Sequence, residues 1–92
     1  MTSHRPVRQL EVTFMKGQPF VAYMWLVEPD RPVALTREIA PSLIVDFDAA
    51  GCALGLEILA FDATTLSRIN PVLVAVGHPL VPDRELAPLR AG

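Results

Sequence analysis

The chain has 92 residues, enough for one domain with a modest core. Apolar residues make up 51% and charged ones only 20%, with positive mean hydropathy; a homo-oligomer or a small protein partner is expected to cover part of that apolar surface. A net charge of −2 excludes a basic field for nucleic acid, the single Cys52 excludes an intrachain disulfide and fits a reducing cytoplasm, and no apolar run is long enough to span a membrane.

Charge is uneven along the chain. Residues 1–27 carry Arg5, Arg8 and Lys16 against Glu11, for +2. Residues 28–62 carry seven acids against Arg31 and Arg37, for −5, an acidic surface in the middle of the chain.

Residues 1–9 are polar and expected as a loose arm. Leu10, Val12 and Phe14 then alternate with Glu11 and Thr13, the period of a half-buried strand. Lys16-Gly17-Gln18-Pro19 supplies turn chemistry. Residues 20–27 read as a second strand, apolar on both faces. Val21, Tyr23, Trp25 and Val27 share one face; Phe20, Ala22, Met24 and Leu26 share the other. A turn over "EPDRP" leads to a third strand at 33–40. There Thr36 and Glu38 oppose Val33, Leu35 and Ile39, with Arg37 out of pattern. Pro41 marks a bulge or an edge position. Residues 42–47 continue that strand or begin another, and residues 52–61 form the one after it.

Between these last two lies "VDFDAAGCALGLEI". Asp46, Asp48, Gly51 and Glu57 fall at the first, third, sixth and twelfth positions of a calcium loop. The fifth and ninth positions are Ala50 and Leu54, which cannot ligate, and the flanks are β-type rather than helical. The stretch therefore reads as a hairpin. Its predicted loop is residues 48–51, with Gly51 left-handed and Asp48 bonding the turn's own amides. Phe47 then faces Cys52, Val45 faces Leu54 and Leu43 faces Leu56, all apolar pairs. Ile44, Asp46, Ala53, Gly55 and Glu57 collect on the opposite face.

"DATTLSRIN" predicts a short helix with Asp62 as N-cap and Asn70-Pro71 as its stop. "VLVAV" is either a fifth strand or a buried helical turn, and "DRELAPL" can form one helical turn.

The segment "LIVDFDAAGCALGLEILAFDA" resembles the signature of the YuzE-like family, small bacterial proteins of unknown function. The matching residues are Val45, Asp46, Phe47, Asp48 and Gly51, then Gly55, Leu56, Glu57, Ile58 and Leu59, with Asp62 opening the helix. The likeness spans about residues 8–68. It departs from the family at "GQPFVAYMW", where the family has an acidic entry to the strand, and beyond Asn70 there is no counterpart. The resemblance implies a fold and oligomerisation through a sheet. By genomic association it also implies an antitoxin-like or regulatory partner role, which is no warrant for an activity.

The remaining candidates are few. His78 has no second histidine near it in sequence, His4 lying in the arm, and reads as a loop or interface residue. Cys52 is expected to point into the core as a small hydrophobe. Asp46 and Glu57, on one face of neighbouring strands, are the one pair suited to acid–base work in a dimer cleft.

The expected fold is α+β, an antiparallel four- to five-stranded β-meander with one short C-terminal helix. One domain spans 1–92, with its core in 10–69 and an extra segment at 70–92. The expected function is a non-catalytic interaction domain, the antitoxin-like partner of a small toxin. The alternatives are a ligand-binding domain or enzyme using Asp46 and Glu57, and a structural subunit docking through its tail. Val21, Tyr23, Trp25, Val27, Ile44 and Leu59 are the expected interface, Asp48 and Gly51 the turn formers. No catalytic residue, metal or cofactor is assigned.

Overall fold

A computed structural model describes residues 9–28 and 30–90. The expected arm therefore lies outside the described residues except for Gln9, and Pro29 of the "EPDRP" turn lies outside them as well. The fold is α+β. Five antiparallel strands form one sheet: β1 (Gln9–Met15), β2 (Gln18–Trp25), β3 (Leu35–Ala40), β4 (Leu43–Phe47) and β5 (Ala53–Ile58). Their order is β1-β2-β5-β4-β3, so the sheet is not a meander. β1–β2 and β3–β4–β5 are each built from neighbours in sequence, and the two units join where β2 pairs with β5.

The local chemistry explains the turns. Lys16 and Gly17 both take positive φ, 53° and 79°, the two-residue geometry that matches strand twist. Gln18 and Pro19 are thus strand residues, not turn residues. Phe14 pairs with Pro19 and Thr13 with Val21, so Phe20 is an extra residue. That bulge takes it out of the buried alternation and leaves it exposed.

The β4–β5 hairpin departs from the predicted register in two places. Asp48 and Cys52 are paired through Asp48 N–H and the Cys52 carbonyl at 3.0 Å, which leaves a three-residue loop. Gly51 carries φ 87° and its N–H bonds the Asp48 carbonyl at 3.0 Å, a type I turn closed by a left-handed residue. Phe47 then faces Ala53, Asp46 faces Gly55, and Leu54 is inserted between as a bulge. One slip at the loop and one at the bulge add to two. Because side chains alternate with period two, Val45 and Leu43 stay on the buried face and meet Leu56 and Ile58 instead. Leu54 turns to the opposite face. Cys52, expected inside, belongs to the loop and is exposed.

All helical structure packs on one face of the sheet. α1 (Ala63–Ser67) is capped by Asp62, whose carboxylate accepts the Thr65 N–H at 2.7 Å. The expected stop at Asn70-Pro71 instead lies in the first turn of α2 (Ile69–Ala75), where proline loses no helical bond. Gly77, φ 85°, ends α2: its N–H bonds the Val74 carbonyl and that of His78 bonds the Leu73 carbonyl. A 3-10 helix (Asp83–Arg90) completes the layer. "VLVAV" is therefore helical.

Ala22, Met24, Leu26, Leu43, Val45, Leu56 and Ile58 of the sheet side meet Leu66, Ile69, Val72 and Leu73 of the helices. The same cluster contains Val81, Leu86 and Leu89. The core thus extends past residue 69 into the segment expected as an extra tail. Asn70 fastens that segment: its Nδ2 donates to the Val81 carbonyl at 3.0 Å and its Oδ1 accepts the Val81 N–H at 2.8 Å. Asn70→Ala leaves both Val81 groups without this partner, and we expect a loss of about 1–3 kcal/mol, read as a lowered urea midpoint at unchanged m-value. Arg37, out of pattern in the sequence, has a simple explanation. The helices do not reach under the edge strand β3, where Arg37 lines an open groove of about 650 Å³ with Leu35, Ile39, Phe47 and Val76.

Candidate functional site

The face of the sheet away from the helices is built in rows. One row crosses all five strands: Glu38, Ile44, Glu57, Tyr23 and Glu11, each directly opposite the next. The adjacent row is Thr36, Asp46, Gly55, Trp25 and Gln9. The pleat dictates this arrangement, because residues opposite each other in an antiparallel pair share a face.

The two rows are stitched together by hydrogen bonds. Gly55 has no side chain, and the Tyr23 ring lies in the space its Cβ would occupy. From there the Tyr23 hydroxyl donates to Asp46 Oδ2 at 2.8 Å, while the Thr36 hydroxyl donates to Asp46 Oδ1 at 2.7 Å. Trp25 Nε1 donates to Glu11 Oε1 at 2.9 Å. The Tyr23 and Trp25 rings meet edge to face with centroids 4.7 Å apart. Burial, the bond to Asp46 and the charges of Asp46 and Glu57 push the Tyr23 phenol well above its ordinary range. It remains a donor at any physiological pH, which makes it a poor base or nucleophile.

The expected interface residues divide as follows. Val21, Tyr23, Trp25, Val27 and Ile44 are half-buried, and the strand alternation puts Val21, Tyr23, Trp25 and Ile44 on this outer face, while Val27 follows the end of β2. Leu59 follows the end of β5, its N–H held by the Ser42 carbonyl at 3.0 Å and its side chain 46% exposed. Asp46 and Glu57 share the face, one row apart. Leu54, displaced by its bulge, lines a concavity with Tyr23, Trp25 and Val33. His78 lies in the loop after α2, as expected, and is buried there. Its Nδ1 lies 2.9 Å from the Pro79 carbonyl oxygen, and among the described residues Nε2 has no partner. Sequence reading missed the roles of Gly55, Thr36, Glu11 and Glu38. The role of Gly55 is readable only once β2 and β5 are known to be neighbours, whereas Thr36 meets Asp46 across the β3–β4 pair.

Neither Asp46 nor Glu57 lines the concavities beside Phe61, Phe47, Leu54 and Pro41. Among the described residues no group of three or more His, Cys, Asp or Glu is placed to hold a metal ion. No described helix is long and apolar enough to cross a membrane.

Asp48 braces the hairpin beside the site. Its Oδ1 accepts the N–H groups of Ala50 and Cys52, each at 2.9 Å, and Arg31 donates to its Oδ2 at 3.0 Å. The Cys52 amide, then Arg31 and the Ala50 amide, hold its carboxyl below the ordinary 3.8. Since the folded value is depressed, the contribution is complete above about 3.8 and disappears as pH falls through the folded value. Asp62, held low by the Thr65 hydroxyl and amide, behaves alike. The melting temperature should therefore fall as pH drops below about 4. Asp48→Asn, which keeps an acceptor oxygen for the amides, should flatten that slope.

Residues 21–61, from β2 to just beyond β5, match the model of a family described as a protein of unknown function (DUF2283). The match supports kinship with an uncharacterised small family. It does not carry the YuzE-like label. No curated protein and no solved structure matches the chain.

Proposed function

We propose that the protein is a non-catalytic interaction domain that binds another protein through the outer face of its sheet. One observation carries this reading. The helices all pack on the opposite face, while the outer face presents Tyr23 and Trp25 locked in place by hydrogen bonds and flanked by Val21 and Ile44. Pre-oriented aromatic side chains are the residues that anchor protein interfaces. The bonding of Asp46 weighs against the enzyme alternative, since both its oxygens already accept hydroxyl protons.

The outer face carries Glu11, Glu38, Asp46 and Glu57, and its strand positions carry no lysine or arginine among the described residues. Two copies meeting through it would bring these carboxylates together. A different protein therefore suits the face better than a second copy. A small toxin neutralised by this chain is the partner that the family resemblance favours. The test is co-expression with the product of the neighbouring gene, with wild-type and Trp25→Asp chains compared. Co-purification and relief of toxicity by the wild type, both lost in the variant at unchanged circular dichroism, are the expected results. A wild-type chain that stays alone and leaves toxicity unaltered rules out the toxin as partner. Full binding by the variant removes the outer face.

A further inference from the structure

The row across the outer face has a period. Glu38, Ile44, Glu57, Tyr23 and Glu11 alternate acid, apolar, acid, apolar, acid. Neighbouring strands lie about 4.8 Å apart, so the carboxylate positions recur every ~9.6 Å, with the strand positions of Ile44 and Tyr23 between them and the Tyr23 ring leaning over Gly55 of the next row.

None of these carboxylates is ion-paired among the described residues. Glu11 accepts from an indole, Glu38 accepts the Ser42 N–H at 3.1 Å, and neighbouring Asp46 accepts two hydroxyls. Such neutral donors orient a carboxylate without cancelling its charge. A polyanion or an anionic lipid surface is repelled by this face.

An α-helix rises about 1.5 Å per residue, so one heptad advances ~10.5 Å and half a heptad ~5.3 Å. These distances match the row to within an ångström per repeat. Resting on the docking reading above, we propose that the occupant is a basic amphipathic helix of the partner, lying across the strands. Its lysines or arginines recur every seven residues over Glu38, Glu57 and Glu11. Its apolar residues, at the intervening half-heptad positions, cover Ile44 and Tyr23. Trp25, in the next row, borders the helix.

Trp25 is the only tryptophan in the chain and reports occupancy directly. Two synthetic peptides of identical composition form the test. One has Lys at i, i+7 and i+14 with Leu halfway between; in the other the same lysines are spaced by five, which spreads them around the helix. The in-phase peptide should bind at least ten-fold more tightly, shift the Trp25 emission, and weaken with added salt. Glu57→Gln should reduce its affinity several-fold while leaving the circular dichroism of the protein unchanged. Equal affinity of the two peptides, each shifting Trp25, overturns the spacing and leaves the docking face standing. Binding without any change at Trp25 or in Glu57→Gln overturns both. If neither peptide binds, the basic-helix occupant is excluded, and the co-expression experiment alone decides the docking face.

Discussion

Gly55→Ala is expected to destabilise the protein by about 2 kcal/mol, although alanine is ordinarily the better strand residue. The added Cβ falls where the Tyr23 hydroxyl and ring now lie. Tyr23 must swing away, so its bond to Asp46 is lost, and a hydrogen bond to a charged group contributes roughly 1.5–3 kcal/mol. The diagnostic measurement is a double-mutant cycle in urea. In a Tyr23→Ala background the space over residue 55 is empty, and Gly55→Ala should become neutral or stabilising by up to about 1 kcal/mol. Additive effects of the two substitutions would show that the tyrosine–glycine seat does not couple these positions.

Truncation after Pro79 should abolish cooperative unfolding altogether. It removes Val81, Leu86 and Leu89, all in the core, and the backbone groups that Asn70 holds. Each side chain contributes about 1.5–3 kcal/mol on burial, together ~5–9 kcal/mol. A domain of this length has only ~5–14 kcal/mol in all. Leu89→Ala alone should cost about 2–5 kcal/mol and keep the transition measurable. A truncated chain that melts sharply but loses an assembly would return the segment to the role of a docking tail.

The strands were legible because their signals are local. Alternation at Leu10 to Phe14, the Lys16-Gly17 turn and the Asp48–Gly51 loop each rest on residues within a few positions of one another. The face shared by Asp46 and Glu57 was legible for the same reason, and it survived an error in register because the two slips cancelled in parity. What failed was non-local. Nothing near Tyr23 announces that it will lie beside Glu57, thirty-odd residues later, so neither strand order nor the seat on Gly55 could be read. The bulge at Leu54 has no sequence signal of its own either, since an apolar residue suits both faces of a strand buried on both. Residues 70–90 were left open between strand, helix and tail because Asn70-Pro71 is written alike at the end of one helix and in the first turn of the next.

The strand order has a consequence for biosynthesis. β1 and β2 leave the ribosome first, and a lone two-stranded hairpin is marginal in water. Its partner β5 begins some 28 residues after β2 ends, ~1.5–6 seconds later at usual elongation rates. Through that interval the nascent chain carries an unpaired strand edge with Met24 and Leu26 uncovered. The last strand of the sheet to be translated closes its centre, and the apolar cover follows only with the helices.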